Sequence, residues 1–207
     1  MHISIKSVVF LFSLILSLNT LAEEKGFYVG GSVGHTSIDT LSEGQVNANL
    51  AAGGITATSN VDDTDMGWKL FGGYNFNQYF GLELGYVDLG EASLDITATA
   101  PAAATASVSA EADGFQFTGI ARYPLMNNFD VFGKVGGFVW DVEGGGSVTS
   151  GATTVVVSAE DDGSSIMFGF GAEYELQNNI GIRAEWERFE VSSDDVDMFS
   201  IGVEYDF

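Results

Sequence analysis

Cysteine is absent from the 207-residue sequence, and histidine occurs only at His2 and His35. The absence of cysteine excludes a disulfide scaffold and thiol catalysis. Histidine is the side chain whose ordinary pKa lies closest to neutral pH, so this scarcity leaves little general-base chemistry. The composition therefore argues against most classes of enzyme, and we expect no cofactor.

Basic residues are also scarce. Seven Lys and Arg residues oppose 29 Asp and Glu residues, which gives a formal net charge of −22 at pH 7. Surfaces that bind nucleic acid need clustered positive charge, so we expect no nucleic-acid partner. Proline occurs only twice, and after the N-terminal region there is no apolar stretch of about 18 residues that would predict a transmembrane helix. The chain is instead rich in Gly and Phe, in alternating patterns that are typical of strands.

The first 22 residues have the organisation of a secretory signal peptide. Lys6 precedes an apolar run at residues 8–18, and Thr20 and Ala22 occupy the small positions before a cleavage site. The apolar run is too short to span a bilayer as a stable helix. We therefore expect a signal peptide at residues 1–22, cleaved after Ala22, and a mature domain at residues 23–207.

Apolar and polar residues alternate with period two in eight segments, each about as long as the 9 to 11 residues that a tilted strand needs to cross hydrocarbon. The segments are approximately 26–36, 65–76, 79–90, 114–124, 129–141, 164–176, 180–190 and 197–207. Short turns at 77–78, 126–128 and 177–179 alternate with connections at 37–64, 91–113, 142–163 and 191–196. This pattern predicts an all-β fold, an eight-stranded antiparallel up-and-down transmembrane β-barrel with extended extracellular hairpin loops.

The two faces of each predicted strand differ in chemistry, because successive side chains point to opposite sides of a sheet. In the segment 79–90, Phe80 and Leu82 share one face and Glu83 lies on the other. We assign the apolar face to lipid, since eight strands enclose an interior that fits Gly and a few charged side chains but not Phe or Leu from every strand. A soluble sandwich or a lipocalin-like barrel would invert this assignment and is the less favoured alternative.

Four stretches of the chain combine such strands with short turns in a recognisable order. They are GYNFNQYFGLELGYVDLG (73–90), ARYPLMNNFDVFGKVGGFVWD (121–141), GAEYELQNNIGIRAEWERF (171–189) and MFSIGVEYDF (198–207). Together they resemble the eight-stranded transmembrane domain of OmpA-type outer-membrane proteins. The resemblance implies residence in the bacterial outer membrane, in contact with its lipid and lipopolysaccharide. OmpA itself continues into a periplasmic peptidoglycan-binding domain, which we do not expect here because the sequence stops after the last predicted strand.

The resemblance extends to charged residues inside the barrel, where OmpA-type proteins hold an ion-pair network that is proposed to act as a gate. Four residues match that network by motif position: Glu83, Lys134, Glu173 and Arg183. Ile120 replaces a basic residue of the family, and Arg122 lies two residues further along the same face. The complete predicted network is Lys69, Glu83, Arg122, Lys134, Glu173, Arg183, Glu185, Glu187 and Glu204. Because buried charges must be paired, we interpret it as a structural plug, with a regulated ion path as the alternative.

The last predicted strand has five apolar residues of one parity: Phe199, Ile201, Val203, Tyr205 and Phe207. A shift of one residue would turn Glu204 and Asp206 toward lipid, so we expect a fixed register. The resemblance implies that these five residues form an assembly signal, with the barrel-assembly machinery and periplasmic chaperones as partners.

Acidic residues cluster where the long predicted loops return to the membrane. Divalent cations prefer oxygen ligands, so one hypothesis is that Ca²⁺ or Mg²⁺ bridges these carboxylates to lipopolysaccharide phosphates. The candidate ligands are Asp161, Asp162, Asp194 and Asp195. Their spacing fits no defined calcium loop, and a solvated acidic rim is the favoured interpretation.

Three functions remain open at this point. The favoured one is a non-enzymatic envelope or surface-interaction protein, in which the barrel is an anchor and the loops contact a ligand. The alternative is a narrow, low-conductance pore for ions or small solutes. The distant third is a lipid A-modifying enzyme, because His35 is the only histidine after the leader and has no Ser partner at a defined spacing.

Overall fold

The computed structural model describes residues 26–38, 42–176, 178–192 and 194–207. The predicted signal peptide lies outside the described residues. In the described part of the chain, no helix has the length and apolar character needed to cross a membrane. The elements are β1 (Phe27–Ile38), α1 (Glu43–Ala52), β2 (Thr56–Asp62), β3 (Thr64–Asn75), β4 (Phe80–Ala100), β5 (Ala104–Met126), β6 (Phe129–Ser150), β7 (Thr153–Glu175), β8 (Ile180–Val191) and β9 (Asp194–Asp206).

Eight of these strands close into an antiparallel barrel, which confirms the predicted fold. β1 pairs with β3 on one side and with β9 on the other, and the other barrel neighbours follow chain order from β3 to β9. The register at the closure pairs Gly30 with Glu204 and Val29 with Tyr205. The last strand is thus paired on both sides, by β8 and β1.

The connection at 37–64 differs from the prediction of a simple hairpin, because it contains α1 and β2. The Ser42 N–H donates to Gln45 Oε1 at 3.0 Å, which is one half of a capping box at the start of α1. β2 pairs with the distal part of β4, from Asp62 opposite Ser93 to Thr56 opposite Ala100. The prediction was wrong here because the apolar residues of this ten-residue helix do not gather on one face, which leaves no clear helical period in the sequence.

The barrel has a turn end and a hairpin end. At the turn end, only residues 76–79 separate β3 from β4, and only 127–128 separate β5 from β6. At the hairpin end, β4 and β5 run on to Ala100 and Ala104, and β6 and β7 run on to Ser150 and Thr153. The predicted loops at 91–113 and 142–163 are therefore extended hairpins, as expected. β8 and β9 meet at Val191 and Asp194 without such an extension.

The extensions form a single layer beyond the barrel, which we call the hairpin sheet. It comprises residues 56–62, 91–100, 104–111, 143–150 and 153–160, paired in the order β2, β4, β5, β6, β7. In that sheet, residues 153–160 pair with β6, and the β7–β8 ladder begins only at Phe168. The sheet therefore stands on one side of the barrel rim, with β2 and β7 as its two edges.

Side-chain exposure alternates along the barrel strands in the sense predicted from the sequence. In β4, Phe80 is 58% exposed, whereas Glu83 has no exposed surface. In a transmembrane barrel the exposed apolar band meets hydrocarbon and the other face lines the interior. Near the hairpin end the outward band contains a group of aromatic residues, which we call the aromatic band. In it, the Tyr86 ring contacts the rings of Trp68 and Phe115 in tilted and edge-on geometry.

Candidate functional site

The nine charged residues of the predicted network all lie inside the barrel. Their side chains are at most 3% exposed, apart from Glu173 at 11%. Their positions follow from strand alternation, because each occupies an inward position of β3 to β9. The barrel thus brings together groups from seven different strands in one interior.

Two lysines and three glutamates form the centre of this network. Lys69 Nζ lies 3.0 Å from Glu185 Oε2 and 2.6 Å from Glu187 Oε2. Lys134 Nζ also contacts both of these glutamates, and it lies 3.4 Å from Glu83 Oε1. Each charge therefore has more than one partner of opposite sign, as a buried ion requires.

Arg183 connects the central group to the turn end. Its Nη1 lies 2.7 Å from Glu83 Oε2 and 3.2 Å from Glu204 Oε2, and its Nε lies 2.7 Å from Glu185 Oε1. The guanidinium carbon is 4.7 Å from the ring centroid of Phe71 and 4.4 Å from that of Phe132. Carboxylates and aromatic rings therefore hold the guanidinium from several sides.

A second arginine, Arg122, pairs with Glu173 at the turn end. Its Nη1 lies 2.7 Å from Glu173 Oε2, and its guanidinium carbon is 5.2 Å from the ring centroid of Tyr28. Asp206, which the predicted network did not include, has its carboxylate within 4.8 Å of those of Glu173 and Glu204. Arg122 and Arg183 already pair with two of these three carboxylates, so arginine supplies the positive charge at this cluster.

Two neutral side chains complete the surroundings of Glu83. Tyr28 Oη donates to Glu83 Oε2 at 3.0 Å, and Gln116 Nε2 donates to Glu83 Oε1 at 3.3 Å. Sequence reasoning missed both residues because it considered only charged groups. Their inward parity on β1 and β5 was the available signal.

The hairpin-end half of the interior is filled by an apolar layer that the sequence analysis did not anticipate. The layer consists of Val87, Leu89, Phe138, Trp140, Met167, Phe189, Val191, Val196 and Met198, all buried. The rings of Phe138 and Phe189 lie 4.8 Å apart between centroids. The inward face was expected to hold Gly and a few charged side chains, which is wrong for the hairpin-end half and also for the buried Phe71 and Phe132 beside the network. Large residues fit because glycines face them, for example Gly163 against the Trp140 ring and Gly114 against the Phe138 ring.

Acidic residues at the foot of the hairpin sheet stand directly opposite one another. One row crosses β4 to β7 through Asp88, Asp113, Asp141 and Asp162, and the next row through Glu91, Glu111, Glu143 and Glu160. We call these eight residues the acidic ladder. Carboxylates directly opposite in adjacent strands repel each other, so the ladder lowers the stability of the sheet. Two neutral donors from the aromatic band reach it: Trp68 Nε1 donates to Asp88 at 3.0 Å and Tyr86 Oη to Asp113 at 2.8 Å.

The four aspartates considered as cation ligands do not form one cluster, and two of them have partners of their own. Ser192 Oγ donates to Asp161 Oδ2 at 2.6 Å, and Arg188 Nη1 lies 3.4 Å from Asp195 Oδ2. Asp162 belongs to the acidic ladder, and Asp194 begins β9. Among the described residues, the carboxylate group close enough to share one ion is Glu173, Glu204 and Asp206, not these four. At the hairpin end, the N–H groups of Glu91 and then Met66 donate to Asp65 and hold its pKa below the ordinary value.

The remaining candidate residues lie on the outer surface. All five residues of the predicted assembly signal, Phe199, Ile201, Val203, Tyr205 and Phe207, are exposed on the lipid-facing side. Their role as a signal stays a prediction. His35 also faces outward on β1, where it stands opposite Met66 and Phe199 and away from the charged interior.

Comparison with known proteins agrees with this architecture. The sequence profile of the OmpA-like transmembrane domain matches residues 22–206. Outer membrane protein A of Klebsiella pneumoniae is 28% identical over 202 residues, covering 93% of this chain and 54% of that protein. Its counterpart in Salmonella typhi is 31% identical over 153 residues, covering 70% of this chain and 41% of that protein. The chain thus spans about half the length of the curated relatives it matches.

Two solved structures share the fold at low sequence identity. Ail, the attachment invasion locus protein of Yersinia pestis, has a TM-score of 0.50 at 15% identity, covering 90% of this chain and 100% of that one. The outer membrane protein OprG of Pseudomonas aeruginosa has a TM-score of 0.50 at 14% identity, covering 89% and 97%. The closed eight-stranded barrel and the profile match over nearly the whole chain lead to one conclusion: the chain belongs to the OmpA-like transmembrane domain family of outer-membrane β-barrels.

Proposed function

We propose that the protein is a non-enzymatic anchor whose closed barrel holds the hairpin sheet at the cell surface. The observation that supports this most strongly is the filling of the barrel interior by two stacked layers. The nine-residue network occupies the turn-end half, and the apolar layer occupies the hairpin-end half. A barrel filled in this way serves as a rigid support rather than as a channel.

The ion-pair network acts as a plug in this proposal. Lys134 and Arg183 each contact three glutamates, so an ion path through the centre would require several pairs to separate at once. Leaving one buried charge without its partner costs about 3–5 kcal/mol. The apolar layer adds a second barrier, because Phe138, Met167 and Met198 have no exposed surface. The two layers close the interior in series, and the alternative of a low-conductance pore is disfavoured.

Planar-bilayer recording tests the closed barrel. We expect the reconstituted protein to give no stable conductance steps above those of the protein-free membrane, with insertion verified by protease cleavage of the hairpins. A Lys134→Ala/Glu185→Ala variant removes one cation and one anion without changing the net charge. We expect this variant to be silent as well, because the apolar layer remains. Stable steps from the unmodified protein would overturn the proposal in favour of a pore.

The surface role is supported by the shape and charge of the hairpin sheet. Its strands extend well past the aromatic band of the barrel, and no Lys or Arg occurs at residues 26–68, 70–121 or 135–182. Extracellular segments held on a rigid scaffold are where binding residues concentrate in such folds. The acidic ladder lowers sheet stability without contributing to the barrel core, which is consistent with a role in contacts at the surface.

A further inference from the structure

The two faces of the hairpin sheet differ sharply in polarity. Register places Leu94, Val108, Gly146 and Val157 in one row and Ile96, Ala106, Val148 and Val155 in the next, all on the face that continues the barrel interior. The opposite face carries mainly Ser, Thr and acidic residues of the same strands, with Val156 as an exposed apolar exception. A single-layer sheet in water normally covers its apolar side with another element.

One side of this inner face is covered by the chain itself. α1 lies against β2, where Ser59 Oγ donates to the Glu43 carbonyl oxygen at 3.3 Å and Ser59 is 4% exposed. Val46 and Leu50 of α1, one helical turn apart, are half-buried. Leu94 and Ile96 on the neighbouring strand are half-buried too. A helix is therefore the element with which this sheet already covers its apolar side.

The other side of the inner face is open. Val108, Val148, Val155 and Val157 are 48%, 49%, 56% and 58% exposed. Below them, Ala112 and Val142 pack against the buried apolar layer, so the open face is continuous with the core of the barrel. A contiguous apolar surface of this kind on an otherwise polar extracellular element marks a binding surface.

The charge around the open face limits what can cover it. The strands of the hairpin sheet contain no Lys or Arg. The acidic ladder at their foot is on the outer face, whereas Asp161 is on the inner side below Val157. The carboxylates give the hairpin sheet a negative electrostatic field. This field would repel a second copy of the chain, which carries the same carboxylates, and anionic lipid, which carries phosphate. It favours an occupant with positive charge.

We propose that the open inner face of the hairpin sheet docks a cationic amphipathic helix, which lies beside α1 with its apolar side on the valines and its Lys or Arg side in solvent, within the negative field of the hairpin sheet. Helix-in-groove recognition of this kind reads apolar residues one turn apart and uses charge for orientation. The inference rests on the proposed function, since it names the partner class of the surface that the anchor presents. Conductance and helix binding are measured separately, so a failure of the proposed function and a failure of this inference can be told apart.

Binding of a synthetic peptide to the protein in zwitterionic-lipid nanodiscs tests this. The probe is a fluorescein-labelled helix of Leu and Lys, about 18 residues long, with its leucines on one face. Empty nanodiscs give the baseline for binding to lipid. We expect saturable binding that weakens several-fold when NaCl rises from about 0.05 to about 0.5 M, because the attraction of surface charges is screened. The same peptide with every Lys replaced by Glu should not bind above the baseline.

A matched pair of variants locates the binding face. The double change Val155→Thr/Val157→Thr makes the inner face more polar while keeping β-branched side chains. It should lower the affinity for the peptide about tenfold. Val156→Thr lies between them on the outer face and should leave affinity unchanged. Far-UV circular dichroism and the heat-dependent shift in gel mobility verify that each variant is folded.

Three results would overturn the proposal: no saturable binding of the Lys peptide, binding of the Glu peptide as tight as that of the Lys peptide, or a loss of affinity from Val156→Thr as large as that from Val155→Thr/Val157→Thr.

Sedimentation velocity tests whether a second copy of the chain occupies the face instead. A dimer that is lost on Val155→Thr/Val157→Thr would assign the face to a second copy and refute a cationic helix.

Discussion

Among the buried charges, Arg183 has the most varied set of partners. It contacts Glu83, Glu185 and Glu204, and its guanidinium lies between the rings of Phe71 and Phe132. Arginine suits this position because its planar fork can bind several carboxylate oxygens while its faces stack on aromatic rings. Lysine at the same place would offer a point charge and would lose the stacking contacts.

Replacing Arg183 with Met should destabilise the barrel by about 3–5 kcal/mol, because three buried glutamates lose a cation while the side-chain volume is nearly kept. Chemical unfolding in detergent micelles, followed by Trp fluorescence, measures the change in the free energy of unfolding. Arg188→Met is the control: Arg188 pairs with Asp197 at 2.6 Å, but both side chains are about one-third exposed. We expect that change to cost less than about 1 kcal/mol. Equal losses at the two positions would show that burial does not determine the strength of these pairs.

At the scale of elements, the hairpin extensions and the barrel are supported by different contacts. The barrel strands have filled layers behind them, whereas the distal parts of β6 and β7 rest mainly on their own ladder and on β5. Segments with few buried contacts contribute little to global stability and tolerate deletion. The barrel should therefore fold without the outer part of the hairpin.

We predict that residues 146–157 can be replaced by an Asn-Gly turn between Gly145 and Ser158, which stand opposite each other. The shortened chain should keep the gel-mobility shift of a folded barrel and a free energy of unfolding within about 1 kcal/mol of the original. Gly136→Ala, in the barrel part of the same strand, is the contrasting change. A Cβ there would collide with the Phe117 carbonyl oxygen, so we expect that variant to fold poorly. Loss of folding in the shortened chain would mean that the hairpin belongs to the folding core.

The alternation of side chains was enough to predict the eight barrel strands, the hairpins at 91–113 and 142–163 and the inward position of the network residues. It could not predict which residues pair across the interior, because contacts such as Lys69 with Glu185 join residues 116 apart through the closure of the barrel. The apolar layer escaped prediction for a related reason. Phe138 and Phe189 fit only where glycines of other strands leave room, and that depends on the stagger between strands.

The first hairpin loop shows a different limit. Ser42 and Gln45 have the spacing of a capping box, yet the apolar residues of α1 do not gather on one face, and its position depends on contacts with β2. Local sequence patterns indicate a helix weakly when tertiary contacts provide most of its stability.

For the whole molecule, charge is separated by location. Four of the seven Lys and Arg residues, Lys69, Arg122, Lys134 and Arg183, are buried inside the barrel, where acidic residues pair with them. The hairpin sheet has none, so the acidic residues at the hairpin end repel one another without a cation between the strands. Buried pairs are screened little by salt, whereas exposed like charges are screened strongly.

Added salt should therefore stabilise this protein rather than weaken it. Raising NaCl from about 0.02 to about 0.3 M shortens the screening length below the spacing of distant ladder residues, and we expect the free energy of unfolding to rise by about 1 kcal/mol. In a Glu111→Gln/Glu143→Gln variant three facing carboxylate pairs are lost, so the low-salt stability should already be higher and the salt response flatter.

Asp95→Asn provides the matched control for that experiment, because Asp95 stands opposite Asn60 and Ser107 rather than another acid. It lowers the negative charge of the hairpin sheet without removing a facing pair, so its salt response should remain close to that of the unmodified protein. If the control flattens the response as much as the double variant does, net charge rather than the acidic ladder sets the effect. If salt lowers the stability of the unmodified protein, exposed ion pairs outweigh the repulsion in the ladder, which would refute the separation of charge argued from the structure.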